Sequence, residues 1–202
     1  MANVYTLKIT YSDCDNRIWR EAQISENAYL SDLGYMILAS FDTLAYHLFC
    51  IRSEKLDVTF ELPNEDEEIE FYECLFCTRL KDIHLKIGDK LQMVYDFGCD
   101  QTFDIEVTGI SPMPRGAGRA YPKIIDGAGR GILDDVPVFE TLNIIKRTDA
   151  NGKSDHYYMD YDEQEMIWDY RNYNIEYDNV LLKGKIEQIA DGYSYFKQFL
   201  EE

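Results

Sequence analysis

Strands open this chain and helices close it, with no strand–helix–strand alternation of a parallel sheet between them. The sequence therefore predicts an α+β fold: a mixed or antiparallel sheet with packed helices and a helical C-terminal extension. Three observations carry the prediction. Apolar and polar residues alternate over Val4 to Tyr11 and over Arg17 to Ser25, the period of a strand with one buried face. Leu30, Leu33, Ile37, Leu38 and Phe41 recur every three to four residues, as along one face of a helix. Helical spacing then dominates from Val138 onward.

Taken in order, Ser12, Asp13, Asp15 and Asn16 are turn formers and join the first two strands as a hairpin. The helix that follows has Ser31 or Asp32 available as its cap. Two short strands are expected at Tyr46 to Arg52 and Asp57 to Leu62. The acidic Asn64 to Glu70 reads as a solvated loop or short helix, and Lys81 to Ile87 as another short element. Gly88-Asp89 turns into a strand over Lys90 to Phe97, which pairs with Thr102 to Ile110 as a second hairpin. In that strand Leu91, Met93, Tyr95 and Phe97 share the core face, and Asp96 projects from the other. Asp96 is expected to anchor the following turn by accepting backbone amides or Arg20.

Ser111 to Val136 is rich in glycine and proline and has no period, so it reads as a long loop. Loops of that length in compact domains are uncommon and often functional. Helices are expected over Val138 to Arg147, Glu163 to Tyr173, Asp178 to Ile189 and Tyr193 to Leu200. The chain thus divides into an α+β core, residues 1–147, and a helical segment, residues 148–202, packed on the same domain.

With 202 residues, 46% hydrophobic and 14% aromatic, the chain can bury a core. No apolar run approaches the roughly 18 residues of a membrane span, and Val4 to Thr10 reads as a strand rather than a signal peptide. Five cysteines without an export signal point to reduced thiols and a cytoplasmic setting. The 38 acidic residues against 20 basic ones leave a formal charge of -18. Such a surface repels phosphates, which disfavours direct nucleic-acid binding, and favours basic protein partners. One local exception is the loop from Ser111 to Gly131, where Arg115, Arg119, Lys123 and Arg130 face the single acid Asp126.

Several signatures fail on their surroundings. Asp96-Phe97-Gly98 matches a kinase tripeptide, but no catalytic-loop motif precedes it. Gly152-Lys153-Ser154 lacks the earlier glycine of a phosphate loop, Arg147 standing in its place. Cys74-x-x-Cys77 is half of a zinc set, and Cys50, Cys99, His47 and His84 complete it only if the fold brings them together. No metal set, cofactor signature or catalytic triad is predicted, and His47, between Tyr46 and Leu48, reads as a core or boundary histidine. The glycines of the 112–131 loop let backbone amides approach a ligand, and Arg115, Arg119 and Arg130 offer forked donors for a small anion. The alternative is a surface loop whose arginines pair with the protein's own acids.

A set of short motifs, in order, resembles the plasmid pRiA4b ORF-3-like family, a domain of unknown function found on plasmids and beside transposons. These are Ile18-Trp19-Arg20, Tyr46-His47-Leu48-Phe49, Tyr95-Asp96-Phe97-Gly98, and Pro114, Gly118, Ala120 and Pro122 with the glycines through Gly131. Tyr173 to Leu182 closes the set. The resemblance implies an α+β roll related to the β-grasp, with Trp19, Arg20, Phe97, Gly98 and Pro122 as structural motif residues. It implies no reaction. The chain departs from the family pattern in two places. Cys99 to Phe103 replace the usual Asp, one residue and Trp, and Tyr121-Pro122-Lys123-Ile124 lacks both acids of a Pro-Pro-Glu-Asp loop.

Two functional readings follow. The first is a non-enzymatic binding or interaction module, serving a mobile element or its host. The second is an enzyme or binder of a small anionic ligand, with Tyr95, Asp96 and His47 lining the pocket and Arg115, Arg119 or Arg130 clamping the anion.

Overall fold

A computed structural model describes residues 2–64, 73–159 and 164–200. Seven strands form one antiparallel sheet in the order β4-β3-β5-β6-β1-β2-β7. They are β1 (Asn3–Tyr11), β2 (Trp19–Ser25), β3 (Phe49–Ser53), β4 (Val58–Phe60), β5 (Lys90–Tyr95), β6 (Gln101–Pro112) and β7 (Lys123–Ala128). Helix α1 (Leu30–Ser40) follows β2, and α2 (Val138–Asn151) follows β7. A hairpin of β8 (Tyr157–Met159) and β9 (Glu165–Ile167) then leads to α3 (Ile175–Gly192). The fold is α+β, as its sequence predicts.

The alternation in β1 sets the layers. Val4, Tyr5, Leu7, Ile9 and Tyr11 are buried, while Lys8 is exposed. One sheet face carries the core and the other meets solvent, as antiparallel sheets allow. The hairpin registers Val4 with Ser25 and Thr10 with Trp19. Helix α1 closes the core almost throughout its length, and Gly34 is what lets it approach β3: a Cβ there would stand 2.2 Å from the Phe49 ring. Its N-cap is Tyr29 rather than the expected Ser31 or Asp32, and Asp32, at the third helical position, reaches back so that its carboxylate accepts from the Tyr29 amide at 2.9 Å. Trp168, Tyr170, Leu182, Ile189 and Tyr193 join the same core from the C-terminal segment.

Three expectations change. The long loop contains a short 3-10 turn, Ala117–Ala120, and β7, which pairs with β2 along the sheet edge. That strand escapes pattern reading because it buries only Ile124 fully. The helix expected to end at Tyr173 is instead β9 and a turn, with Trp168 and Tyr170 buried on alternate positions. β5 ends at Tyr95, two residues early. Asp96 takes a left-handed conformation, φ +53°, which breaks the alternation and leaves Phe97 56% exposed instead of in the core. The expectation for Asn64 to Glu70 falls, beyond Asn64, outside the described residues.

Candidate functional site

The turn after β5 stands where two other segments converge: residues 41–48, which follow α1, and residues 129–137, which join β7 to α2. Aspartate tolerates the left-handed region because its carboxylate bonds nearby amides. Asp96 does so with one oxygen: Oδ1 accepts from the amides of Gly98 at 3.2 Å and Cys99 at 3.4 Å. Its carbonyl accepts from Asp100, and its own amide donates to the Leu48 carbonyl at 3.1 Å. The expected turn anchor is present, although Arg20 is not its partner. The second carboxylate oxygen is different. Asp96 side-chain exposure is 7%, and Oδ2 is buried with no hydrogen-bond partner. His47 Nε2 lies 3.6 Å away, too far for a hydrogen bond.

His47 is held above this oxygen from several sides. The Tyr193 hydroxyl donates to its carbonyl, and its ring packs against Tyr46 at 4.3 Å and Tyr95 at 5.6 Å between centroids. The same Nε2 stands 2.9 Å from Asp135 Oδ1, and the Tyr46 hydroxyl donates to Asp135 Oδ2. These bonds, Tyr46 first, hold the Asp135 carboxyl below the usual range. Ligand atoms of His47, Asp96 and Asp135 thus lie within 4.8 Å of one another. Among the described residues this is the one group of His, Cys, Asp or Glu spaced to share an ion.

Segment 129–137 is fastened from below. The half-buried Asp134 accepts from the Tyr95 hydroxyl at 2.7 Å and the Leu44 amide at 2.9 Å, and loss of solvent raises its pKa. Gln101, fully buried, donates to the Val136 carbonyl at 2.7 Å and accepts from the Tyr11 hydroxyl. Arg20 donates to the Arg130 carbonyl at 2.6 Å. Glycine supplies the fit: a Cβ on Gly131 would meet the Phe41 carbonyl oxygen at 2.4 Å, and one on Gly129 (φ +79°) the Arg17 carbonyl oxygen at 2.5 Å. These glycines bring the segment against the protein's own backbone.

Of the residues expected to bind a ligand, His47, Tyr95 and Asp96 come together, and the arginines do not join them. β6 runs from Gln101, beside the site, to Pro112, a length of roughly 35 Å. Arg115 and Arg119 follow at the far end, both exposed. Arg130 is near but engaged: it donates to the Tyr158 hydroxyl and lies 3.6 Å from Asp42. Trp19 is half-buried with the Lys8 ammonium 5.4 Å over its ring, and Pro122 leads into β7. The Cys77 thiol is pushed up to about 12, by burial first and then by its hydrogen bond with the free thiol of Cys74. Burial and then the Asp96 carboxylate push Cys99 up to about 11. Asp134 and Asp135 are the residues that sequence reasoning missed. Their one signal is a pair of adjacent acids ending an acid-poor loop.

The family model for plasmid pRiA4b ORF-3-like proteins matches residues 3–177, a span that holds His47, Asp96 and Asp135. No curated protein matches the chain. The crystal structure of a protein of unknown function from Methanosarcina mazei Go1 is similar with a TM-score of 0.67. It covers 89% of this chain and 97% of that one at 19% identity, a likeness of fold. Matched from its first strand into its last helix, this chain belongs to the plasmid pRiA4b ORF-3-like protein family.

Proposed function

We propose that the protein is a binding module whose centre, His47, Asp96 and Asp135, takes up a divalent transition-metal cation. The observation that carries this reading is the unpartnered Asp96 Oδ2. A buried carboxylate oxygen without a hydrogen bond is costly, and a cation is the partner its surroundings suit. A metal about 2.1 Å from each of its ligands separates them by about 3.0–3.4 Å. The distances of 2.9 Å and 3.6 Å from His47 Nε2 to the two carboxylates bracket that span. One imidazole with two carboxylates suits zinc or manganese better than magnesium or calcium. Three protein ligands leave coordination positions open, and Asp135, 62% exposed at its side chain, puts them towards solvent. The formal charge of -18 favours cations at longer range. The family's plasmid setting supports service to a mobile element.

Isothermal titration with Zn2+ and Mn2+, on the parent and on Asp96→Asn, tests this. Asparagine keeps an oxygen for the Gly98 and Cys99 amides and tolerates the left-handed backbone, but loses the charge. The parent is expected to bind one equivalent, and the variant to fold normally with at least tenfold weaker affinity. Absence of binding to the parent, or equal binding by Asp96→Asn, overturns the reading.

A further inference from the structure

Resting on that reading, we infer that the cation's open positions receive the carboxylate of a small organic acid whose apolar body lies on Tyr46, Leu48 and Phe97. Tyr46 and Leu48 flank His47 in sequence, and Phe97 follows Asp96, so each is tied by the backbone to a ligand of the cation. All three are large and outward-facing, at 55%, 45% and 56% exposure. Apolar groups of that size around a few convergent polar atoms are the composition of a small-molecule site.

Charge selects the ligand's head. Around the site stand the carboxylates of Asp96, Asp134 and Asp135, and among the described residues no ion pair or hydrogen bond brings a lysine or arginine side chain to any of them or to His47. An anion is therefore repelled unless the cation is bound, and the two should bind cooperatively. The donor count selects carboxylate over phosphate. A phosphate group needs several N–H donors for its oxygens, and the arginines that would supply them are at the far end of the sheet or engaged with Tyr158 and Asp42. A carboxylate needs the cation and little else.

The test uses the full chain, with and without saturating Zn2+, titrated with 3-phenylpropanoate, acetate, phenyl phosphate and 2-phenylethylamine. Expected is 3-phenylpropanoate binding at least tenfold tighter with Zn2+ than without, and at least tenfold tighter than acetate. Phe97→Ser, measured on the Zn2+-saturated protein, is expected to lose about tenfold in 3-phenylpropanoate affinity. Three results overturn the inference while leaving the cation site standing: Zn2+ bound with no response to 3-phenylpropanoate, acetate binding as tightly, or phenyl phosphate binding tighter. Tighter binding of 2-phenylethylamine to the Zn2+-free protein replaces the acid with an organic cation and also overturns it. Failure to bind Zn2+ at all removes both readings.

Discussion

Arg20 is the residue whose replacement should cost the fold most. It lies on the core face of β2 with no exposed surface, between Tyr173 at 3.9 Å and Phe41 at 4.8 Å from ring centroid to guanidinium carbon. It donates to four carbonyl oxygens: Ser40 at 3.0 Å, Trp19 at 2.9 Å, Ala128 at 2.9 Å and Arg130 at 2.6 Å. One side chain thus joins β2, the end of α1, the end of β7 and the segment that carries Asp134 and Asp135. Arg20→Met fills much of the volume and removes every donor. Hydrogen bonds to a charged group contribute about 1.5–3 kcal/mol each, so four amount to roughly 6–12 kcal/mol gross. Burying the guanidinium costs several kcal/mol in return, and burial lowers the Arg20 pKa. The net expectation is a loss of about 3–5 kcal/mol, a large share of the roughly 5–15 kcal/mol that holds a domain folded.

For a chain of this length each kcal/mol moves the melting temperature about 2–4 °C, so a fall on the order of 10 °C is expected. Thermal unfolding measures that fall and urea unfolding the free-energy loss, both followed by tryptophan fluorescence, since Trp168 is buried and Trp19 adjoins Arg20. Arg20→Lys should fall between parent and Arg20→Met. An ammonium can serve three acceptors but cannot lie flat between two rings. If Arg20→Met unfolds within 1 kcal/mol of the parent, the clasp is not what holds these segments, and their packing alone suffices.

Gly131→Ala places a methyl 2.4 Å from the Phe41 carbonyl oxygen, so segment 129–137 must shift; a loss of about 1–3 kcal/mol and a tenfold weaker Zn2+ affinity are expected from melting and titration. Asp96→Ala removes the acceptor of two turn amides and is expected to lose about 1–3 kcal/mol, where Asp96→Asn melts like the parent; equal melting of Asp96→Ala would show that the turn does not need its anchor. Burial raises the Asp32 pKa against the Tyr29 amide and the nearby Lys197 and Arg79 charges, so the folded state prefers the protonated form and loses that stability as pH rises through the folded value. Asp32→Asn, which keeps an acceptor for Tyr29, should therefore exceed the parent in urea midpoint at pH 7 and match it only at about pH 3, below the ordinary aspartate value.

The strands that bury one face were legible in the sequence because burial writes a period of two into them. Val4 to Tyr11, Arg17 to Ser25 and the β5–β6 hairpin all show it. β7 was not legible, since an edge strand with a single fully buried residue leaves no period to read. Half of the site was legible for a different reason. His47, Tyr95 and Asp96 sit in short distinctive motifs beside strands. Asp135 is 88 residues from His47, and in a chain with 38 acids no carboxylate stands out by identity.

What selects Asp135 is the closure of segment 129–137 over the end of the sheet, and two polar side chains govern that closure. Arg20 and Gln101 both occupy buried strand positions with no exposed surface. In β2, Arg20 shares its face with Ala22 and Ile24, so the alternation itself points a charge into the core. A buried charge needs acceptors, and β2 had to spend its own carbonyls on β1 and β7. The acceptors had therefore to come largely from the ends of other elements and loops brought close, and three of the four do: Ser40, Ala128 and Arg130. Gln101 makes the same demand at the first residue of β6 and meets it with Leu133 and Val136. The two residues between those acceptors are Asp134 and Asp135. A polar residue on a core face of a strand thus locates the segment that must fold over it, and here that segment brings the carboxylates to His47.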